Sequence, residues 1–313
     1  MQFTTQVNIA HSAREITYSD RILLLGSCFS ENISQKFKEA YFRVSSNPFG
    51  VLYNPLSIAR CLDILLCDSF NFQLSTFNYN GLWHSMLHHG DFSRADRQEF
   101  DAAVRQSIAD GRRALSESSV VIVTFGTAWV YEMDGEIVGN CHKLPHNMFT
   151  RRRLSVEEIV GCWQKLLQRE ELRDKHFIFT VSPIRHLKDG LHENQLSKAT
   201  LLLATEKLVM NEDILSAEYF PSYEIVTDEL RDYRFYADDM LHPSAVAVEY
   251  IWQRFMDTFL SNATKQDMVP LTQLYSDLHH RPLHPDSEEY IRFLQKTKEK
   301  ARALRKKYPW IEI

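Results

Sequence analysis

The chain has 313 residues, of which 44% are hydrophobic and 25% charged, and this suits one large α/β unit with appendages or two smaller ones. A formal net charge of -5 and an isoelectric point of about 6.2 exclude the electrostatic footprint of a nucleic-acid-binding protein. The opening stretch MQFTTQVNIAHSARE holds no apolar segment of signal-peptide length, and nowhere do about 18 apolar residues run together, so no membrane partner and a cytoplasmic location are expected.

Taken in chain order, the predicted elements alternate. Residues 22–25 (ILLL) form a wholly apolar run, and 30–40 carry Ile33, Phe37 and Ala40 at helical spacing, so strand, turn and helix follow one another. The stretch 70–92 breaks the pattern, being rich in aromatic residues with an Asn-Gly turn signal. A helix is expected over about 94–116, then a β-branched strand at 120–125 that ends in Gly126. Residues 129–142 read as a hairpin closed at Asp134-Gly135. Helices at about 155–169, 193–211 and 244–260 flank two further strands, 177–181 ending at Ser182-Pro183 and 223–226 ending at Thr227-Asp228.

Apolar strands separated by helices imply a mainly parallel sheet with helices on both faces, an α/β fold. Residues 1–263 then make up the α/β domain and 264–313 a helical C-terminal extension packed on it. That tail ends in a charged helix, 287–307, whose Lys296, Lys298, Lys300, Arg302, Arg305, Lys306 and Lys307 form a solvated or packing face, with an anion-binding surface as the alternative. Ligands of such sheets bind outside the carboxyl ends of the strands, where Gly26, Gly126 and Ser182 fall. The two aromatic-rich insertions are suited to cover a site there.

Two motifs carry chemistry. In Gly26-Ser27-Cys28 the glycine lets the backbone turn sharply from strand to helix. The helix start beyond it presents unsatisfied N–H groups and a positive dipole end, which favour a developing oxyanion. The plain structural reading is a Ser27 N-cap beside a small buried Cys28. In Asp239-Met240-Leu241-His242 the imidazole is suited to act as general base, with Asp239 fixing its tautomer. The plain reading there is a helix N-cap with a surface histidine. Taken together, the motifs outline a triad in the order nucleophile, Asp, His.

At this point the chain resembles the GSCFA domain family, a branch of the SGNH or GDSL-like hydrolase superfamily, through Gly26-Ser27-Cys28-Phe29-Ser30. Asn47-Pro48-Phe49-Gly50, Phe125-Gly126-Thr127-Ala128-Trp129, Asn140-Cys141-His142-Lys143-Leu144-Pro145, Val181-Ser182-Pro183-Ile184-Arg185-His186 and Asp239-x-x-His242 extend the likeness over residues 20–260. The resemblance implies a three-layer α/β/α, flavodoxin-like sheet and an esterase or acyltransferase that forms a covalent acyl-enzyme. Its substrate would be a small-molecule or carbohydrate-linked acyl compound, and no cofactor is implied. Laid on the superfamily's Gly-Asp-Ser, Cys28 takes the nucleophile's place, with Ser27 as second choice. The superfamily's Gly-x-Asn has no amide here, since Gly126-Thr127-Ala128 stands in its position. Oxyanion stabilisation is therefore assigned to the N–H groups of Cys28 and Gly50, with Asn54, His142 or Arg185 in place of the missing amide.

The other polar candidates also carry two readings. Cys141-His142-Lys143 and Arg185-His186 are expected at loop ends that face one cleft, as ligands for a phosphate or carboxylate or as structural hydrogen-bonding groups. His84, His88 and His89 have a spacing that puts two imidazoles on one helical face, which with His142 or Asp239 would make a hydrolytic metal site. Tyr233, Phe235 and Tyr236 read as core or cleft wall. Cys28, Cys61, Cys67, Cys141 and Cys162 are odd in number and include no CxxC pair, so free thiols are expected. A non-catalytic ligand-binding module and a metal-dependent hydrolase are the alternative functions.

Overall fold

A computed structural model describes residues 4–67, 69–211 and 216–311, so the first three residues of the opening stretch and the last two of the tail lie outside the described residues. Ten strands are present among them: β1 (Arg21–Gly26), β2 (Arg43–Ser46), β3 (Thr76–Tyr79), β4 (Leu82–Ser85), β5 (Val120–Phe125), β6 (Trp129–Met133), β7 (Glu136–Val138), β8 (Thr150–Arg153), β9 (His176–Val181) and β10 (Ala217–Phe220). The helices are α1 (Cys28–Glu39), α2 (Pro55–Leu66), α3 (Arg97–Glu117), α4 (Val156–Leu167), α5 (Gly190–Val209), the single turn α6 (Ser222–Glu224), α7 (Ala245–Phe259), α8 (Asn262–Leu278) and α9 (Glu288–Lys307).

Five strands form a parallel sheet in the order β10-β9-β5-β1-β2. Its inner strands are buried along their whole length, apart from Arg21 at the start of β1, because successive side chains enter two different cores. Leu23, Leu25, Val121, Val123, Phe177 and Phe179 pack with residues of α2, α3, α4 and α5. Ile22, Leu24, Val120, Ile122 and Ile178 pack with residues of α1 and α7 and with Leu271, Ala301 and Tyr308 of the C-terminal segment. Trp310 fastens that segment, donating its indole N–H to the Tyr41 carbonyl at 3.0 Å. The α9 helix matches the expected charged helix, and Lys300 and Lys307 spend their charge on Asp277 and Asp267 at 3.1 and 2.6 Å.

One predicted strand is corrected. Residues 223–226 are helical, running from α6 into a π-helical turn at Ile225–Glu229, while the edge strand is Ala217–Phe220. Ile225 and Val226 are apolar because that turn buries them in the second core. The true edge strand is only half covered, so its sequence, AEYF, lacks the apolar run of an inner strand. The edge strand β2, of sequence RVSS, is inconspicuous for the same reason.

Both insertions form hairpins. Asn80 and Gly81 close β3–β4 with φ of 51° and 79°, and Asp134 and Gly135 close β6–β7 with φ of 53° and 83°. This double left-handed turn is why Asn-Gly and Asp-Gly mark such hairpins. A third strand, β8, pairs with β6. The histidines at 84–89 are therefore not on a helical face. His84 lies on β4, and His88 and His89 lie in the turn after it. Among the described residues no group of three or more His, Cys, Asp or Glu is placed to hold a metal ion, and no helix is long and apolar enough to cross a membrane.

Candidate active site

At the carboxyl ends of β1 and β5, where the strand order reverses and ligands of open α/β sheets bind, lies a cleft of about 470 Å³. The β1–α1 turn forms part of its wall. Gly26 has φ of +135°, and a Cβ there would sit 2.1 Å from the Thr124 carbonyl oxygen, because the sheet register sets Gly26 directly beside Thr124. The Gly26 N–H donates to Asn47 Oδ1 at 2.8 Å, and its carbonyl accepts the Leu52 N–H at 3.0 Å. The turn is thus tied to the neighbouring strand and to the loop after β2.

Ser27 caps α1. Its Oγ accepts the Phe29 N–H at 3.4 Å, its carbonyl accepts the Ser30 N–H at 2.8 Å, and it is 1% exposed. Cys28 is the first residue of the helix, is half-buried and lines the cleft. Among the described residues no protein acceptor faces its backbone N–H. Its Sγ lies 3.4 Å from the Tyr53 hydroxyl. Burial, reinforced by the neighbouring thiol, pushes the Tyr53 phenol well above its usual range, so the hydroxyl stays protonated and able to donate.

His242 borders the same cleft. Asp239 shapes its loop, with Oδ1 accepting the Leu241 and His242 N–H groups at 2.9 and 3.0 Å and Oδ2 accepting the His242 Nδ1–H at 2.5 Å. The backbone N–H of His242, then that of Leu241, and then the imidazole hold the Asp239 carboxyl down at about 2. An ionised Asp239 fixes the proton on Nδ1 and leaves Nε2 as the free acceptor. The cap of α7 is Ser244, not Asp239, so the aspartate serves the histidine loop itself. Arg185 ties this loop to the end of β9, its N–H donating to the Leu241 carbonyl at 3.1 Å and its Nη1 to the Met240 carbonyl at 3.2 Å.

The family model for the GSCFA family matches residues 21–255. The chain belongs to the GSCFA family. A second model, for the GSCFA domain protein, C-terminal domain, matches residues 272–313, a span that includes α9. No curated protein matches the chain.

Within this GSCFA chain the structure brings Ser27, Cys28, Asn54, Arg185, His186 and His242 to one cleft, with Asp239 bound to His242. Three expected members stand elsewhere. The Gly50 N–H is spent on the Asn47 carbonyl at 2.7 Å, in a turn whose φ of +76° needs glycine, so it cannot serve an oxyanion. Gly126 donates to the Tyr53 carbonyl at 2.8 Å, and its bare Cα lets Tyr53 and Ser27 pack close. His142, next in the chain to the cleft's Cys141, is buried, with Nε2 2.6 Å from the Ser85 carbonyl oxygen and its ring beside that of His84. Asn54 spends its Oδ1 on the Ser57 N–H as cap of α2.

Sequence reasoning missed Tyr53, Asn140, Arg151, Lys188 and Lys198. Asn140 lines the cleft and accepts the His142 N–H at 2.8 Å through Oδ1, which leaves its amide N–H₂ as a donor on the cleft wall. Lys198 is 1% exposed, and its Nζ donates to the Gly126 and Ser182 carbonyls, both at 2.7 Å, joining the ends of β5 and β9. Burial lowers its pKa to about 7. A lysine on an apparently ordinary helix carries no local signal of that role.

The histidines give the fold a pH limit. Burial, then the neighbouring His142, drives His88 down to about 3, and burial drives His142 down to about 4. Both are thus neutral when folded but take up protons near pH 6.5 when unfolded. Their contribution is fully present well above pH 6.5 and is lost as pH falls toward 4 for His142 and toward 3 for His88, on the order of 1–2 kcal/mol by pH 5. Urea unfolding at pH 7.5, 6 and 5 should show this decline, and His88→Gln should flatten it. A stability constant across that range would refute the account.

Proposed function

We propose that the cleft performs acyl transfer through a covalent enzyme intermediate, on a frame of the SGNH-like kind. The observation that carries this reading is that Cys28, at an open helix start, and His242, held through Nδ1 by an ionised Asp239, line one cleft. The order of the parallel sheet, 2-1-3-4-5 when its strands are numbered along the chain, is that of flavodoxin-like doubly wound sheets. With helices on both faces, it supports the three-layer α/β/α assignment.

In the first step His242 Nε2 takes the Cys28 thiol proton and Sγ attacks the acyl carbonyl carbon. The oxyanion that develops faces the Cys28 N–H at the positive end of α1, and the Asn140 amide and the Tyr53 hydroxyl are the nearby side-chain donors. As the C–O bond breaks, His242 returns the proton to the leaving alcohol, and the acyl group stays on sulfur as a thioester. Water or an acceptor hydroxyl, deprotonated by the same imidazole, then attacks the thioester and frees Cys28. The substrate is a small-molecule or carbohydrate-linked acyl compound.

The test is intact-mass and peptide-mapping mass spectrometry after brief exposure to activated short-chain acyl donors, on the wild type and on His242→Ala. An adduct that maps to Cys28 and depends on His242 is the expected result. No adduct, or labelling spread over Cys61, Cys67 and Cys162, would transfer the assignment to a non-catalytic ligand-binding module. The spent N–H groups of Gly50 and Gly126 favour that second reading.

A further inference from the structure

We propose that the compound bound in this cleft carries an oxyanion, a carboxylate or a phosphate, and that Lys188 and Arg185 hold it; the proposal rests on the acyl-transfer reading and names its substrate class. The charge balance points this way. The chain as a whole is acidic, at -5, yet Arg151, Arg185 and Lys188 line the cleft with Asp189 as the one carboxylate among its lining residues. Asp189 is already spent, since both of its oxygens engage the Arg151 guanidinium.

Neither Lys188 nor Arg185 has a carboxylate partner among the described residues. Lys188 donates to the Tyr131 hydroxyl and lies 4.8 Å from the centre of that ring. Arg185 uses Nη1 on a carbonyl oxygen and lies over the rings of Tyr233 and Tyr236 at 5.8 and 5.6 Å, which holds its plane while Nε and Nη2 stay free. A planar guanidinium held in place and an ammonium with no carboxylate partner, on the wall of one cleft, are the donor set that recognises an oxyanion.

Hydrogen-bond bookkeeping agrees with the charge. Among the described residues, Arg151 Nε and Trp129 Nε1, which can only donate, and His186 Nε2 are buried in this wall with no hydrogen-bond partner. These donors without acceptors accord with the positive charge of the wall. Tyr53, Val138, Ile184 and Leu241 supply apolar surface for the acyl part, and a cleft of about 470 Å³ has room for both ends of a small ligand.

The experiment is titration calorimetry of the whole chain with succinate, inorganic phosphate and neutral succinamide, on the wild type, Lys188→Met and Lys188→Arg. Binding of one or both anions but not of succinamide is expected, and whichever anion binds identifies the oxyanion. Lys188→Met should weaken binding about tenfold, and Lys188→Arg should retain it. Equal affinity for succinate and succinamide, no anion binding at all, or a folded Lys188→Met that binds like the wild type would overturn the proposal. An acyl adduct at Cys28 without anion binding would refute this proposal alone. Anion binding without any adduct would support it and refute the covalent chemistry.

Discussion

Replacing Cys28 with alanine is expected to lower acyl transfer by about a thousandfold or more, the scale on which loss of a covalent nucleophile acts, with an unchanged melting temperature. The side chain is only half-buried, and among the described residues its one polar side-chain contact is a 3.4 Å approach to the Tyr53 hydroxyl, so little packing is lost with the sulfur. Ser27→Ala should show the opposite profile. It removes the Oγ that caps α1 and should cost about 1 kcal/mol of stability, with acyl transfer largely retained. Thermal unfolding and donor turnover measured on both variants decide between the two nucleophiles. Full turnover in Cys28→Ala, or loss of turnover in a folded Ser27→Ala, would reverse the assignment.

Gly26→Ala is expected to have the largest effect on folding, a loss of about 3–5 kcal/mol. Two costs combine at one atom. The backbone sits at φ of +135°, which L side chains rarely adopt, and the added Cβ would lie 2.1 Å from a carbonyl oxygen of the neighbouring strand. That oxygen cannot yield, because it belongs to Thr124 in the fully buried β5. Any relief must open the β1–β5 pairing or shift the turn that carries Cys28, so the surviving folded fraction should also lose activity. Urea unfolding measures the first effect and turnover at low temperature the second. A loss below 1 kcal/mol would show that the turn relaxes without strain.

The alternating frame was legible because its signals are local. The runs ILLL and VVIVTF read as strands buried on both faces, and the helices α1 and α3 between them show in the spacing of their apolar residues, whereas α2 (Pro55–Leu66) was not anticipated. Edge strands escaped that logic. The β2 and β10 sequences lack an apolar run because only part of each strand is covered, while the apolar residues at 223–226 serve a helical turn. The two hairpin insertions were visible because Asn-Gly and Asp-Gly are chosen by the turn's own dihedrals.

The same division runs through the candidate site. Asp239 and His242 are three residues apart, so the loop that joins them also makes their contact, and the Gly26 turn is a local requirement of strand meeting helix. These features the amino-acid sequence determined by itself. Which N–H groups remain free was decided only in three dimensions, since those of Gly50 and Gly126 point to Asn47 and Tyr53. So were the burial of His142 against Ser85, the approach of Tyr53 to Cys28, the pairing of Arg151 with Asp189 and the reach of Lys198 to the ends of two strands. Most of these partners stand tens of residues apart in the chain. A side chain's direction and its hydrogen-bond acceptor depend on how whole layers pack, and no short-range pattern encodes that.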